Sequence, residues 1–404
     1  MMKLSAAATL LLLQVFHPCL HAADWPRWRG ADQNGISEES DWQAKFPDGK
    51  AKVAWKKNVG TGFSSVVVAG GSLLTMGNDG GTETVWCFDA LSGEEKWKFE
   101  FECPLDPKYF EGGPTSTPTV DGDTVYTLSR RGHLHALDVS DGDLRWSKDL
   151  ATEYGMPIPS WGFAGSPFVQ ADRLYLNIGS QGMALKKEDG ELVWKSDQEE
   201  AGYSTAVPFA SGGKDYLLLG CRRSWKAVEA DTGEELWSQR WLTRYGVNAA
   251  DPIVSGDQIW VSSGYGKGAA LLKWYDDDDP EIIWQNKELR TQMNPAVLID
   301  GHLYGIDGDA GDENALKCLD FATGEVKWSV ADVGSGGVTA ADGRLIVLGS
   351  RGELMVAPAS PEKFEPTARA QVLQGKCWTV PVLANARIYC RNAAGDLVCV
   401  DVSR

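Results

Sequence analysis

The stretch WCFDALSGEEKW, Trp86 to Trp97, returns as LHALDVSDGDLRW from Leu134 to Trp146 and as ALKCLDFATGEVKW from Ala315 to Trp328. Shorter variants end at Trp194 (ALKKEDGELVW, from Ala184) and at Trp237 (AVEADTGEELW, from Ala227). In all five a glycine stands four residues before the tryptophan: Gly93, Gly142, Gly190, Gly233 and Gly324. In three an aspartate, Asp89, Asp138 or Asp320, stands four before the glycine. Alternating apolar residues ahead of the turn make a strand, the glycine supplies the positive φ of a tight hairpin, and the residues leading to Trp make the returning strand. A Trp at the end of that outer strand offers a broad flat surface for packing on a neighbouring sheet.

A second hairpin precedes each unit, as at Val120-Asp121-Gly122-Asp123 with the strand Thr124 to Leu128. Its counterparts begin at Ala171-Asp172, Ser255-Gly256-Asp257, Ile299-Asp300-Gly301, Ala341-Asp342-Gly343 and Leu383-Ala384-Asn385, so each repeat is four antiparallel strands. The tryptophans Trp55, Trp97, Trp146, Trp194, Trp237, Trp284 and Trp328 follow one another at 42 to 49 residues. Pro280 takes the glycine position in one acidic turn, Asp276 to Asp279, and a degenerate unit from Glu353 to Pro366 lacks both Gly and Trp. The last segment, LVCVDVSR, is a third strand without a fourth, whereas Lys52-Val53-Ala54-Trp55 is a fourth strand without a third. The two halves complete one another, and the 352 residues from 53 to 404 divide into eight units of 44. This predicts an all-β fold, an eight-bladed β-propeller of four-stranded antiparallel blades closed by pairing of the N- and C-terminal strands. Closure removes the two free sheet edges an open array would carry.

The 404 residues carry 56 acidic and 39 basic side chains, a net charge of -17. Such a polyanion is not built to wrap nucleic acid, nor to settle on anionic lipid. Residues 1–23 read as a signal peptide: Lys3, an apolar run from Ala6 to Phe16, and the small-residue exit Ala22-Ala23. The run is shorter than the roughly 20 residues that span a bilayer. The expected organisation is signal peptide 1–23, N-terminal extension 24–51 and propeller 52–404, in a protein exported to the periplasm or beyond and not membrane-spanning. Seven cysteines follow the signal; Cys390 and Cys399 flank the turn Asn392 to Gly395 and are the pair placed to bridge a hairpin.

The recurring hairpin, apolar-Asp-x-x-[Thr/Ser/Asp]-Gly-x-x-x-Trp, resembles the pyrroloquinoline-quinone (PQQ) repeat over residues 50–404. Trp25-Pro26-Arg27-Trp28-Arg29-Gly30, Trp161-Gly162-Phe163-Ala164-Gly165-Ser166-Pro167 and Asn248-Ala249-Ala250-Asp251-Pro252 are similar to segments of exported bacterial PQQ-like repeat proteins, related in shape to the outer-membrane protein assembly factor lipoprotein. The resemblance implies one of two roles. Assembly-factor proteins carry these repeats without cofactor, as docking surfaces. Quinoprotein alcohol and glucose dehydrogenases hold PQQ and Ca²⁺ over the central channel. This chain has no adjacent cysteines and no Cys-x-x-Cys-His haem site. The expected role is therefore a binding or assembly scaffold without cofactor, meeting a protein partner or a small polar ligand on its top face. A PQQ-dependent oxidoreductase holding PQQ with Ca²⁺ is the alternative, and an acidic Ca²⁺-binding protein associated with a carbohydrate or other polymer is a third reading.

The residues themselves assign no catalytic group, and Gly-x-Ser-x-Gly is absent. His133 and His135 alternate onto one strand face and read as solvent-facing imidazoles. Asp307, Asp309, Asp312 and Glu313, on a Gly-rich loop, are the candidate Ca²⁺ ligands, without EF-hand spacing. Loops leading into the innermost strands are polar and aromatic. Trp161, Arg244, Asn248, Asp251, Arg290, Gln292, Asn294 and Trp378 are expected to converge at the channel mouth, where they suit a flat, polar or anionic ligand.

Overall fold

A computed structural model describes residues 23–275 and 278–404; the signal segment before Ala23 and the aspartates at 276 and 277 lie outside the described residues. Eight antiparallel sheets of four blade strands follow one another around the ring. Blade 1 comprises Val67–Ala69, Ser72–Asp79, Thr82–Asp89 and Glu95–Glu102. Blades 2 to 6 occupy 119–149, 168–195, 207–240, 253–286 and 297–330. Blade 7 comprises Gly337–Ala341, Arg344–Leu348, Glu353–Pro358 and Ala368–Gln371. Blade 8 joins Val382–Ala384, Arg387–Arg391 and Asp396–Asp401 to Val53–Asn58, so strands from the two ends of the sequence lie side by side, with Trp55 opposite Cys399. The predicted closure is the observed one.

The Gly and Trp of the repeat act between blades. Six of the outer-strand indoles reach the hairpin turn of the next blade and donate to a carbonyl there. Trp55 Nε1 reaches Ala90 O at 3.1 Å, Trp97 reaches Val139 O at 2.8 Å, and Trp194 reaches Ala230 O at 2.8 Å. Trp146, Trp284 and Trp328 do the same with Lys187, Phe321 and Ser360. The turn glycine is the seat of the ring: a Cβ on Gly93 would stand 2.7 Å from Trp55 Cδ2. Trp237 is buried in a cluster with Trp274 of the next blade, the blade that carries Pro280 in place of the turn glycine, and its Nε1 has no partner among the described residues. The degenerate unit folds with a longer connection before Ala368–Gln371. Its missing Trp is replaced by Trp42 of the extension, fully buried among Ala368 and Ala370 of blade 7 and Val398, Val400 and Val402 at blade 8.

One candidate pairing fails and one expectation is corrected. Tyr389 pairs with Cys399 and Cys390 with Val398, so the two thiols project from opposite faces of blade 8, into different core clusters, and form no bridge. All seven cysteines among the described residues are free and buried. His133 and His135 are not simply solvated: His135 packs 4.5 Å from the Phe101 ring and 5.1 Å from Phe99, and burial, reinforced by His133, pushes its pKa down to about 4.

The N-terminal extension spans the ring. Trp25 bridges Val68 of blade 1, and Pro26 O accepts from Val120 N of blade 2. Arg27 Nη1 donates to Val169 O of blade 3, and Gln33 Nε2 to Ala206 O beside blade 4. Trp28 Nε1 reaches Asp251 beside blade 5, and Arg29 Nη2 reaches Ala296 O beside blade 6. Ile36–Ser37 adds a parallel strand to blade 7, and Glu39 accepts from Asn385 N in blade 8. Trp25 and Trp28, three residues apart, bond blades 1 and 5 on opposite sides of the ring, so the strap runs across the channel beneath the site described next. Among the described residues no helix is long and apolar enough to cross a membrane.

Candidate functional site

The loops leading into the innermost strands all rise on one face, here the top. Between them lies an open bowl of about 250 Å³. Its walls are two aromatic arcs. On one side Phe110, Phe63 and Trp378 follow one another, with Phe63 and Trp378 stacked at 5.5 Å. On the other stand Trp161, Tyr203 and Tyr265; Trp161 meets Tyr203 edge to face at 6.0 Å, and Tyr245, behind the lining, meets Trp161 at 6.1 Å and Tyr265 at 5.0 Å. Tyr109 stands on the rim, 90% exposed, and Trp28 of the strap forms part of the floor.

A chain of hydrogen bonds from backbone to side chain links successive blades under these rings. Ser65 N donates to Thr117 Oγ1, Thr117 N to Ser166 Oγ and Ser166 N to Thr205 Oγ1, each at 3.0 Å. Thr205 N then donates to Asp251 Oδ1 at 2.8 Å. The other carboxylate oxygen accepts from Trp28 Nε1 at 2.7 Å, and Arg29 lies close enough to stabilise the charge. Burial still outweighs these contacts and pushes the Asp251 pKa up to about 6, while burial pulls that of Arg29 down to about 10.

This has a consequence for stability. Unfolded, an aspartate titrates near pH ~3.9. Because the folded pKa is higher, the folded state binds the proton more tightly, and that contribution is complete below pH ~3.9 and lost as pH rises through about 6. Measured against Asp251→Asn by denaturant unfolding, the native protein should lose about 2–3 kcal/mol between pH 4 and pH 7. A difference that stays flat with pH would contradict the assignment.

Of the sequence-predicted site residues, Trp161, Asp251, Gln292, Asn294 and Trp378 line the bowl. Asn294 also ties two loops, donating to Gly336 O and Trp378 O. Three do not line it. Asn248 is fully buried, donates to Cys221 O and Trp241 O at blade 4 and accepts from Ser263 Oγ of blade 5, and so ties two neighbouring blades together. Arg244 lies out over the Tyr245 ring, 5.3 Å from its centroid. Arg290 grips Asp307 with a two-point ion pair at 2.8 and 2.9 Å.

That pair also disperses the expected Ca²⁺ loop. Asp307 is shared by Arg290 and Lys317, Asp309 accepts from Tyr265 N, and Asp312 accepts from Ser350 and pairs with Arg351. Burial raises the Asp307 pKa, but the hydrogen bonds from Arg290 and Lys317 outweigh it and hold the carboxyl below the usual aspartate range. With Glu313 included, these side chains make no group of three or more metal-ligating residues among the described residues. Sequence reasoning missed Phe63, Tyr203, Tyr265 and Trp28. The first two stand four residues ahead of an innermost strand, the position that Trp378 also holds, and that spacing was the available signal.

A family model described as outer membrane protein assembly factor BamB matches residues 46–153 and 81–330. The chain belongs to that family. Outer membrane protein assembly factor BamB from Yersinia pestis is 22% identical over 298 residues, 69% of this chain and 72% of its own. Relatives of that name from Burkholderia pseudomallei and Moranella endobia are spanned over 63% and 61% of their length, and the one from Shewanella oneidensis over 77%. Among solved structures, BamB from Moraxella catarrhalis superposes with a TM-score of 0.65 at 16% identity, covering 87% of this chain and 99% of its own. Quinohemoprotein alcohol dehydrogenase from Comamonas testosteroni reaches 0.68 at 14% identity, covering 94% and 80%. Likeness at such identity speaks for the propeller fold alone.

Proposed function

We propose that this chain is an exported, non-catalytic binding scaffold that receives its partner on the top face, at the aromatic bowl. The observation that carries the reading is the chemistry of the bowl. Its walls are recognition surface, and its single lining carboxylate, Asp251, is held by Trp28 and Thr205, so it is an anchor of the floor and not a poised base. Relatives named as assembly factors support the scaffold, and the signal-like residues 1–23 support export.

The alternative is a PQQ-dependent oxidoreductase, and the likeness to an alcohol dehydrogenase propeller is what favours it. The bowl does not fit that cofactor. PQQ carries three carboxylates and partners Ca²⁺, whereas no Lys, Arg or His side chain lines the cavity and no group of three metal-ligating side chains occurs among the described residues. Titrating the purified protein with PQQ and Ca²⁺ should give no saturable change in quinone absorbance and no dye-linked oxidation of alcohols or sugars. Saturable binding with turnover would overturn the scaffold. A photo-crosslinking residue at Tyr109, on the rim, should yield a discrete protein adduct in the native cell envelope, and the same residue at Leu144, on an outer strand, should not. Equal labelling from both positions would also count against the reading.

A further inference from the structure

The lining of the bowl selects ligands by charge. We propose that it binds an uncharged saccharide ring, an inference that rests on the reading of the top face as the recognition surface. An anionic ligand finds no counter-charge in the lining. No cationic side chain lines the cavity, Lys376 at the rim is paired with Glu111 at 2.8 Å, and Lys108, held to Ser160 O and 6.0 Å from the centroid of the Trp161 ring, stands outside the lining. A cationic ligand gains little either. Asp251 already accepts two hydrogen bonds and has the Arg29 guanidinium beneath it, so floor charge is balanced within the protein.

The remaining polar groups are neutral and partly uncommitted. The hydroxyls of Thr117, Ser166 and Thr205 each accept a backbone N–H, and their protons have no acceptor among the described residues. Gln292 donates through Nε2 to Tyr265 Oη at 2.8 Å, while its Oε1 has no partner. Three spare donors and one spare acceptor between two aromatic arcs match a molecule with a C–H face for stacking and hydroxyls along its edge. A pyranose has both. The volume, about 250 Å³, falls just under the roughly 300–1,000 Å³ usual for ligand sites, which suits one or two rings with the open mouth taking any continuation of a chain.

The test is calorimetric titration of the whole exported protein with cellobiose, maltose and N,N′-diacetylchitobiose, beside glucuronate, glucosamine and PQQ. At least one neutral disaccharide should bind saturably and quench tryptophan fluorescence, with the charged probes weaker by about tenfold or more. Trp161→Ala and Gln292→Ala should each weaken that binding by about tenfold, with cooperative unfolding unchanged. The second variant serves if the first fails to fold. If none of the neutral sugars saturates, or a charged probe binds best, the proposal is wrong. That result would leave the scaffold reading standing, because PQQ turnover or indiscriminate crosslinking is what overturns the scaffold.

Discussion

Arg391→Met should lower the unfolding free energy by about 3–5 kcal/mol, the largest single loss expected in the molecule. Arg391 belongs to blade 8, is 1% exposed and has no carboxylate beside it. Its guanidinium is instead spent on blade 1. Nη1 lies 2.7 Å from both Ser64 O and Met76 O and 3.1 Å from Thr75 Oγ1, and Nη2 lies 3.2 Å from Gly60 O. Methionine keeps most of the bulk but leaves buried carbonyls without a donor, and each charge-assisted bond to such a group is worth about 1.5–3 kcal/mol. The bonds share one donor group and will not add in full. Arg391→Lys should fall between the two, since an ammonium cannot reach all the acceptors of a planar fork. Urea unfolding followed by tryptophan fluorescence measures both. A loss below about 1 kcal/mol would mean that water replaces the guanidinium freely.

Gly142→Ala should cost about 2–4 kcal/mol, from two separable causes. Gly142 has φ +80°, where an L-residue loses roughly 1–2 kcal/mol. Its added Cβ would also stand 2.5 Å from Trp97 Cε3 and 2.7 Å from Cδ2, forcing the indole off its seat. Gly122 provides the control. It has φ +61° and nothing within 4 Å of a Cβ, so Gly122→Ala carries the backbone cost alone. The difference between the two variants measures the contact between Trp97 and the next blade. Equal losses would show that the indole shifts without penalty.

The blades were legible because each repeats a short-range pattern: strand, turn glycine, strand, Trp. The same pattern pointed to the number of blades and to the closure, since its half-units at Trp55 and at LVCVDVSR complement one another. The strap across the channel was not legible. Its bonds run from Arg27, Arg29 and Gln33 to backbone carbonyls at Val169, Ala296 and Ala206, acceptors that every residue possesses and no side-chain pattern marks. The site was half legible for a related reason. Aromatic and polar residues ahead of an innermost strand did locate Trp161, Asp251 and Trp378. The loop position of a charged or amide side chain did not say which way it turns. Arg290 went to Asp307, which the sequence had offered to a metal, and Asn248 went to carbonyls of the preceding blade. With Arg244 and Arg290 away from the bowl, the anionic ligand those residues implied lost its counter-charge.

The pairing of Val53–Asn58 with Asp396–Asp401 also sets a timetable. Asn58 and Asp396, bonded side chain to side chain, are 338 residues apart, so the fastening blade cannot form until nearly the whole chain has emerged. Contacts of such separation form slowly, and the strand edges of blades already folded stay bare in the meantime. The strap is the extreme case. Residues 24–39 precede every blade, yet their acceptors are spread over all eight, so a segment made early has its full seat only at the end. During that interval the chain is an open row of sheets with a loose leading thread, and its passage to the folded state depends on whatever shields those edges until the ring locks.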